Sequence, residues 1–139
     1  MEPFTSFLCF RLGALTRKIH RAYNNLSLKY GITVGQSFVI FDLLANEGSS
    51  VKDIAARVQL DSPAITGFID RLIKEELVER REDPSDRRSL QIFLTSKGLQ
   101  LAEEMLPVAQ QFNQELKDAV GSQAVEAFEQ SLTSLDKIF

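Results

Sequence analysis

Apolar residues recur every three or four positions near the start of the chain: Phe4, Leu8, Leu12, Leu15, Ile19, Ala22 and Leu26. This spacing predicts a long first helix with a narrow apolar seam, ended by Gly31. Thr33 is a candidate N-cap for a second helix, with Phe38, Phe41, Leu44 and Ala45 facing inward until Gly48 stops it. Ser50 and Asp53 then stand at near capping-box spacing before a stripe of Val51, Ile54, Ala55 and Val58. Asp61 follows as a further N-cap, Pro63 is tolerated in the first turn, and Ile65, Phe68, Ile69 and Leu72 form the next stripe. Two short helices joined by a tight turn make a helix-turn-helix.

Beyond this point the period changes. Leu77 to Arg81 reads as one strand, and Ser89 to Thr95 alternates with Leu90, Ile92 and Leu94 on one face. The segment Glu82-Asp83-Pro84-Ser85-Asp86 turns between them. Thr95 or Ser96 caps a helix from about Lys97 to Val120, kinked at Pro107. Gly121 breaks that helix and Ser122 restarts it, with Val125, Phe128, Leu132 and Leu135 lining the last one. The fold class is therefore mostly α with a small β-hairpin: a winged helix-turn-helix between long N- and C-terminal helices.

Composition narrows the class of partner. At 139 residues, with 44% hydrophobic and 25% charged positions, the chain has the make-up of one soluble globular domain. Charge is uneven beneath the net of −3: residues 1–30 carry five Lys/Arg against one acid, and residues 99–139 carry two against seven. Such a balance argues against indiscriminate coating of nucleic acid but leaves room for local positive points. No run is long and apolar enough to span a bilayer, and the acid near the N-terminus does not suit a signal peptide. With one cysteine, Cys9, these features fit a cytoplasmic protein without a membrane role.

The candidate chemistry lies on the helix at about residues 62–74 and in the hairpin tip at 81–89. The helix face opposite the apolar stripe carries Ser62, Pro63, Ala64, Thr66, Gly67, Asp70 and Lys74, small and polar where a surface helix ordinarily carries long charges. A mid-helix glycine costs roughly 1 kcal/mol relative to alanine. Gly67 is therefore either a bare backbone that permits close approach to a base edge or phosphate, or a loosely selected surface position. In a winged helix the second helix enters the major groove while the wing reaches the backbone or minor groove. Arg88 at the wing suits a narrow, strongly negative minor groove, and Arg87 is a weaker candidate for phosphate. Asp86, two positions before Arg88, is placed to hold that guanidinium in one rotamer by a forked hydrogen bond. The plainer alternative is a solvated mixed-charge turn.

The stretch LDSPAITGFIDRLIKEELVERREDPSDRRSLQIFLTSKG resembles the MarR family of bacterial transcriptional regulators. The family pattern T-x-x-x-D-R-L, G-L-V-x-R, D-x-x-D-x-R and L-T-x-x-G is matched by Thr66, Asp70, Arg71 and Leu72; by Leu77, Val78 and Arg80; by Asp83, Asp86 and Arg88; and by Leu94, Thr95 and Gly98. Two departures stand out. Glu76 replaces the usual glycine, which leaves the helix without its left-handed cap, and Gly67 replaces an often larger residue, which leaves base preference open. The resemblance covers essentially the whole chain. It implies a homodimer held by helices in 1–30 and 99–139, with a winged helix at 31–98, that represses transcription from an inverted-repeat operator. Carried over by position, Ser62, Ala64, Thr66 and Gly67 would face the major groove and Arg88 the minor groove, with Lys74 beside them. Arg71 could equally serve a structural ion pair. Relatives of this kind commonly release DNA on binding a small aromatic effector.

The segment FLCFRL around Cys9 also resembles the organic hydroperoxide resistance branch of that family, whose N-terminal cysteine is oxidised to release DNA. In that branch partner-chain tyrosines hydrogen-bond the cysteine. Tyr23 falls at one such position, while the other two fall at Gly13 and Val34. Fourteen helical residues span ~21 Å, so Cys9 and Tyr23 could meet only across a dimer. Cys9 is thus either a thiol sensor or a small hydrophobe in the dimer seam. Catalysis finds no support: His20 lies eleven residues from Cys9, ~16 Å along a helix, so no dyad forms, and neither a zinc set nor a phosphate loop is present. No cofactor is expected. The remaining alternative is a winged helix that serves only as a protein-interaction scaffold.

Overall fold

The computed structural model describes all residues, 1–139. The chain forms two compact units, Met1–Met105 and Leu106–Phe139. Helices α1 (Leu8–Ser27), α2 (Val34–Ala45), α3 (Val51–Val58) and α4 (Ser62–Lys74) precede a hairpin of β1 (Val78–Asp83) and β2 (Asp86–Leu94), then α5 (Ser96–Val120) and α6 (Val125–Asp136). The hairpin is antiparallel, pairing Val78 with Leu94 and Arg80 with Ile92.

The expected long first helix is interrupted near its start. Phe4–Ser6 form a separate 3-10 turn, and Phe7 is extended (φ −65°, ψ 138°) before α1 begins. A further 3-10 turn follows α1 and ends at Gly31, whose φ of 72° is the left-handed conformation that glycine adopts without steric cost. Two side chains of α1 fasten the next helix: Asn24 Oδ1 accepts from the Val34 amide (2.8 Å), and Ser27 Oγ donates to the Ile32 carbonyl (2.8 Å).

Thr33 caps α2 in a full capping box, reciprocated by Gln36. The face that α2 buries matches the expected one only in part, since Phe41 and Leu44 do pack against the core. Val39, Ile40 and Leu43 are fully buried, whereas Phe38 and Ala45 are exposed and Phe41 and Leu44 only partly covered. The sequence VGQSFVIFDLLA is apolar almost all round, so spacing alone does not select a face. Around α2 close Ile54 of α3, Ile65, Ile69 and Leu72 of α4, Val78 of β1 and Ile92 of β2. Each such side chain contributes about 1.5–3 kcal/mol on burial. Leu90, expected on the inward face of its strand, is exposed because that part of β2 projects past the core as the wing.

The C-terminus of α4 also departs from expectation. Glu76 itself takes the left-handed conformation (φ 59°) and completes a Schellman turn, with Leu77 N donating to Leu72 O and Glu76 N to Ile73 O, both at 2.9 Å. The cap is present without its glycine. Thr95 caps α5 through its hydroxyl, which accepts from Gly98 N at 3.0 Å and donates to Glu76 O at 2.7 Å. Helix α5 continues through Pro107.

In the second unit Ser122 does not cap α6. The helix starts after Ala124, and the amides of Ala124 and Val125 donate to Gly121 O at 3.0 Å each. Lys117 and Glu129 pair at 3.1 Å, and no residue of α6 is buried.

Candidate nucleic-acid interface

Helix α4 is presented by a tight turn from α3. Gln59 closes α3 in a left-handed conformation (φ 59°), and Asp61 caps α4 by accepting from Ala64 N at 2.7 Å. With Ile65, Ile69 and Leu72 buried, the opposite face is open. Ser62, Gly67 and Lys74 are exposed there, and Ala64 and Thr66 are half-buried at its edges. A methyl group built at Gly67 would meet nothing within 4 Å, so packing within the chain does not require glycine there. Asp70 on this helix pairs with Arg80 of β1, which joins helix and hairpin by a charged contact. The motif's ion pair is thus made by Asp70 and not by Arg71.

At the tip, Asp83 Oδ1 accepts from the amide (2.9 Å) and hydroxyl (2.7 Å) of Ser85. These two donors hold the Asp83 carboxyl below its ordinary pKa. Asp86 behaves differently from the expected splint. Its Oδ1 accepts from the backbone amide of Arg88 at 3.0 Å, while the Arg88 Nε is 4.0 Å away and makes no fork. Asp86 therefore braces the backbone of the wing and holds the guanidinium only by a long ion-pair contact, with the Arg88 side chain 97% exposed. Arg87 is exposed as well. The neighbouring arginines are engaged: Arg81 lies 4.1 Å over the Phe93 ring and pairs with Glu79. Such stacking and pairing leave Arg87 and Arg88 as the open positive points of the tip.

The family model described as the MarR family matches residues 32–90, from the loop before α2 into β2. The HTH-type transcriptional regulator SarZ of Staphylococcus aureus (strain USA300) is 32% identical over 110 residues, covering 76% of this chain and 74% of that protein. The chain belongs to the MarR family. A second relative, the HTH-type transcriptional regulator TtmR of Methylorubrum extorquens (strain PA1), is 39% identical over 104 residues, or 75% of this chain, which spans about half (53%) of that protein's length. Among solved structures, a mutant of MarR from E. coli complexed with operator DNA superposes with a TM-score of 0.85 at 25% identity, covering 97% of this chain and 99% of that one. Winged helix neighbours of this kind fix the fold class, and the named relatives are transcriptional regulators rather than enzymes.

Within this MarR-family chain the site residues read from sequence fall on three elements. Ser62, Ala64, Thr66, Gly67 and Lys74 lie on α4; Asp86, Arg87 and Arg88 lie on β2; Cys9 and Tyr23 lie on α1. Cys9 is exposed and Tyr23 buried. Both stand on one helix fourteen positions apart, so a single chain does not bring them together. His20 is placed by packing, its ring edge-on to Phe38 at 6.2 Å between centroids.

Sequence reasoning missed one cluster. Arg57 Nε and Nη2 donate to the two oxygens of Asp42 at 2.7 and 2.8 Å, and Nη2 also donates to Ser49 Oγ at 2.6 Å. The Asp42 carboxylate, through these bonds, holds Arg57 above its ordinary pKa. The partners are fifteen and eight positions apart, beyond any local spacing rule.

Proposed function

We propose that the chain is a homodimeric, sequence-specific DNA-binding regulator that acts as a repressor on an inverted-repeat operator. In this reading α4 enters the major groove through Ser62, Ala64, Thr66 and Gly67, with Lys74 near phosphate. The wing takes Arg88 to the minor groove and Arg87 to the backbone, on a strand braced by Asp86. Segments 1–30 and 99–139 supply the dimer contacts around the winged helix at 31–98. The observation that carries the reading is the Arg88 side chain, 97% exposed and not hydrogen-bonded to Asp86, on a hairpin where Arg80 pairs with Asp70 and Arg81 stacks on Phe93. Release by a small aromatic ligand, or by oxidation of Cys9 facing Tyr23 of a second copy, fits the exposure of that thiol. A cytoplasmic location and the absence of catalysis belong to the same reading. No single helix is long and apolar enough to cross a membrane.

The test is selection from a pool of random duplexes by wild type and Arg88→Ala in parallel. Wild type should enrich an inverted repeat, and the variant should bind the selected duplex about tenfold more weakly. If nothing enriches even at low salt, where phosphate contacts are strongest, the protein-interaction scaffold takes the place of this reading.

A further inference from the structure

A winged helix reads two grooves at once only if the wing stands at a fixed place relative to the recognition helix. The tip of the hairpin is free, so this placement is set at its base. There Ile92, fully buried, bridges to the loop after α2: Gly48 N donates to Ile92 O and Ile92 N donates to Ser49 O, both at 2.9 Å. The loop is in turn gripped by a side chain. Ser49 Oγ donates to Asn46 O at 2.5 Å and accepts from Arg57 Nη2 at 2.6 Å, and the same guanidinium holds both oxygens of Asp42. The Asp42 side chain is only 8% exposed, so it has little water to replace that partner.

We propose that Arg57 is a positioning residue for DNA recognition: by clamping Asp42 and Ser49 it fixes the loop that holds the wing, and so sets where Arg88 meets the duplex. This rests on the DNA-binding reading above. The chain of contacts is continuous, from α3 through one guanidinium to the end of α2 and the loop, and through two backbone hydrogen bonds to the strand that carries Arg88. A planar fork with several fixed donors is suited to three acceptors at once, which a lysine ammonium cannot match in geometry. Two other roles compete with it. Arg57 could stabilise the fold and nothing more, or touch phosphate directly, since the first helix of a helix-turn-helix lies across the DNA backbone.

A double-mutant cycle separates these roles, using a duplex selected by wild type as the probe. Affinity is measured for wild type, Arg57→Ala, Arg88→Ala and the double variant, each checked by thermal melting. If Arg57 acts through the wing, its loss weakens binding, and Arg88→Ala then costs less in the Arg57→Ala background by about threefold or more. Additive losses overturn the proposal, because Arg57 would then act independently of the wing, as a phosphate contact would. Should Arg57→Ala fail to melt cooperatively, the same cycle with Ser49→Ala decides, since that change leaves the Arg57–Asp42 pair in place. Coupling of Ser49 to Arg88 supports the clamp, and additivity overturns it. Failure of wild type to select any duplex is a separate result, one that removes the DNA-binding reading itself.

Discussion

Glu76 sits in a backbone conformation that suits another residue. Its φ of 59° is open to glycine and costs other L-residues about 1–2 kcal/mol. The surrounding hydrogen bonds hold it there: its amide and that of Leu77 close the Schellman turn, and its carbonyl accepts from Thr95 Oγ1. A second acid, Glu75, adds negative charge at the same helix end, where the macrodipole is already negative. Lys97 offsets this by donating its ammonium to the Glu75 carbonyl at 2.9 Å. Replacing Glu76 by glycine relieves the steric cost and one acid, but makes the unfolded chain more flexible. The net expectation for Glu76→Gly is a gain of about 0.5–1 kcal/mol, seen as a rise of roughly 2–5 °C in melting temperature. A melting temperature that is unchanged or lower would show that the left-handed turn carries no strain here.

At the scale of elements, two glycines on adjoining segments have opposite reasons to exist. Gly98, in the first turn of α5, lies so close to the residue before β1 that an added Cβ would stand 1.9 Å from the carbonyl oxygen of Leu77. Backbone occupies that space, so no rotamer change can relieve the clash, and Gly98→Ala is expected to cost about 3 kcal/mol or more. Gly67 on α4 has open space around it, and Gly67→Ala is expected to raise stability by up to about 1 kcal/mol through helix propensity alone. If its bare backbone serves close approach to DNA, the same change weakens binding to a selected duplex. Melting and affinity measured on both variants distinguish packing from function; a Gly67→Ala protein with unchanged affinity would return that position to ordinary surface.

The contrast also shows what could be read from sequence and why the rest could not. Helix starts at Thr33, Ser50 and Asp61 were legible, and that of α5 to within one residue (Thr95 or Ser96), because each cap acts on an amide within three residues. The buried face of α2 was legible only in part, since two apolar stripes compete on it and only tertiary packing chooses. The Asp70–Arg80 pair joins residues ten positions apart and the Arg57 clamp residues eight and fifteen apart, and no spacing rule reaches that far. On the wing the residue types and positions were visible, but the partner of Asp86 was not. A carboxylate two positions from an arginine can reach either the guanidinium or the amide, and the turn geometry favours the amide.

The molecule as a whole leaves apolar surface that neither unit fills by itself. In the first unit Phe4, Phe7, Leu8 and Leu15 are 64%, 51%, 63% and 49% exposed; in the second, Phe128 and Leu132 are 41% and 43% exposed. Single exposed apolar residues are ordinary, but runs of aromatic and leucine side chains at helical spacing mark an interface. A second copy of the chain is the partner that matches the proposed inverted repeat, because a two-fold axis in the protein answers one in the operator. The expectation is a particle containing two of the 15.6 kDa chains in sedimentation at micromolar concentration, with a melting temperature that rises with protein concentration. Introducing charge on α1 by Leu8→Glu together with Leu15→Glu should shift the particle to monomer. It should also weaken binding to a full inverted repeat far more than binding to a duplex with one half-site, because only a dimer spans half-sites set one helical turn apart. A wild-type monomer, or a doubly substituted chain that keeps its full-site affinity, would separate DNA binding from dimer formation and leave the exposed seam on α1 to another partner.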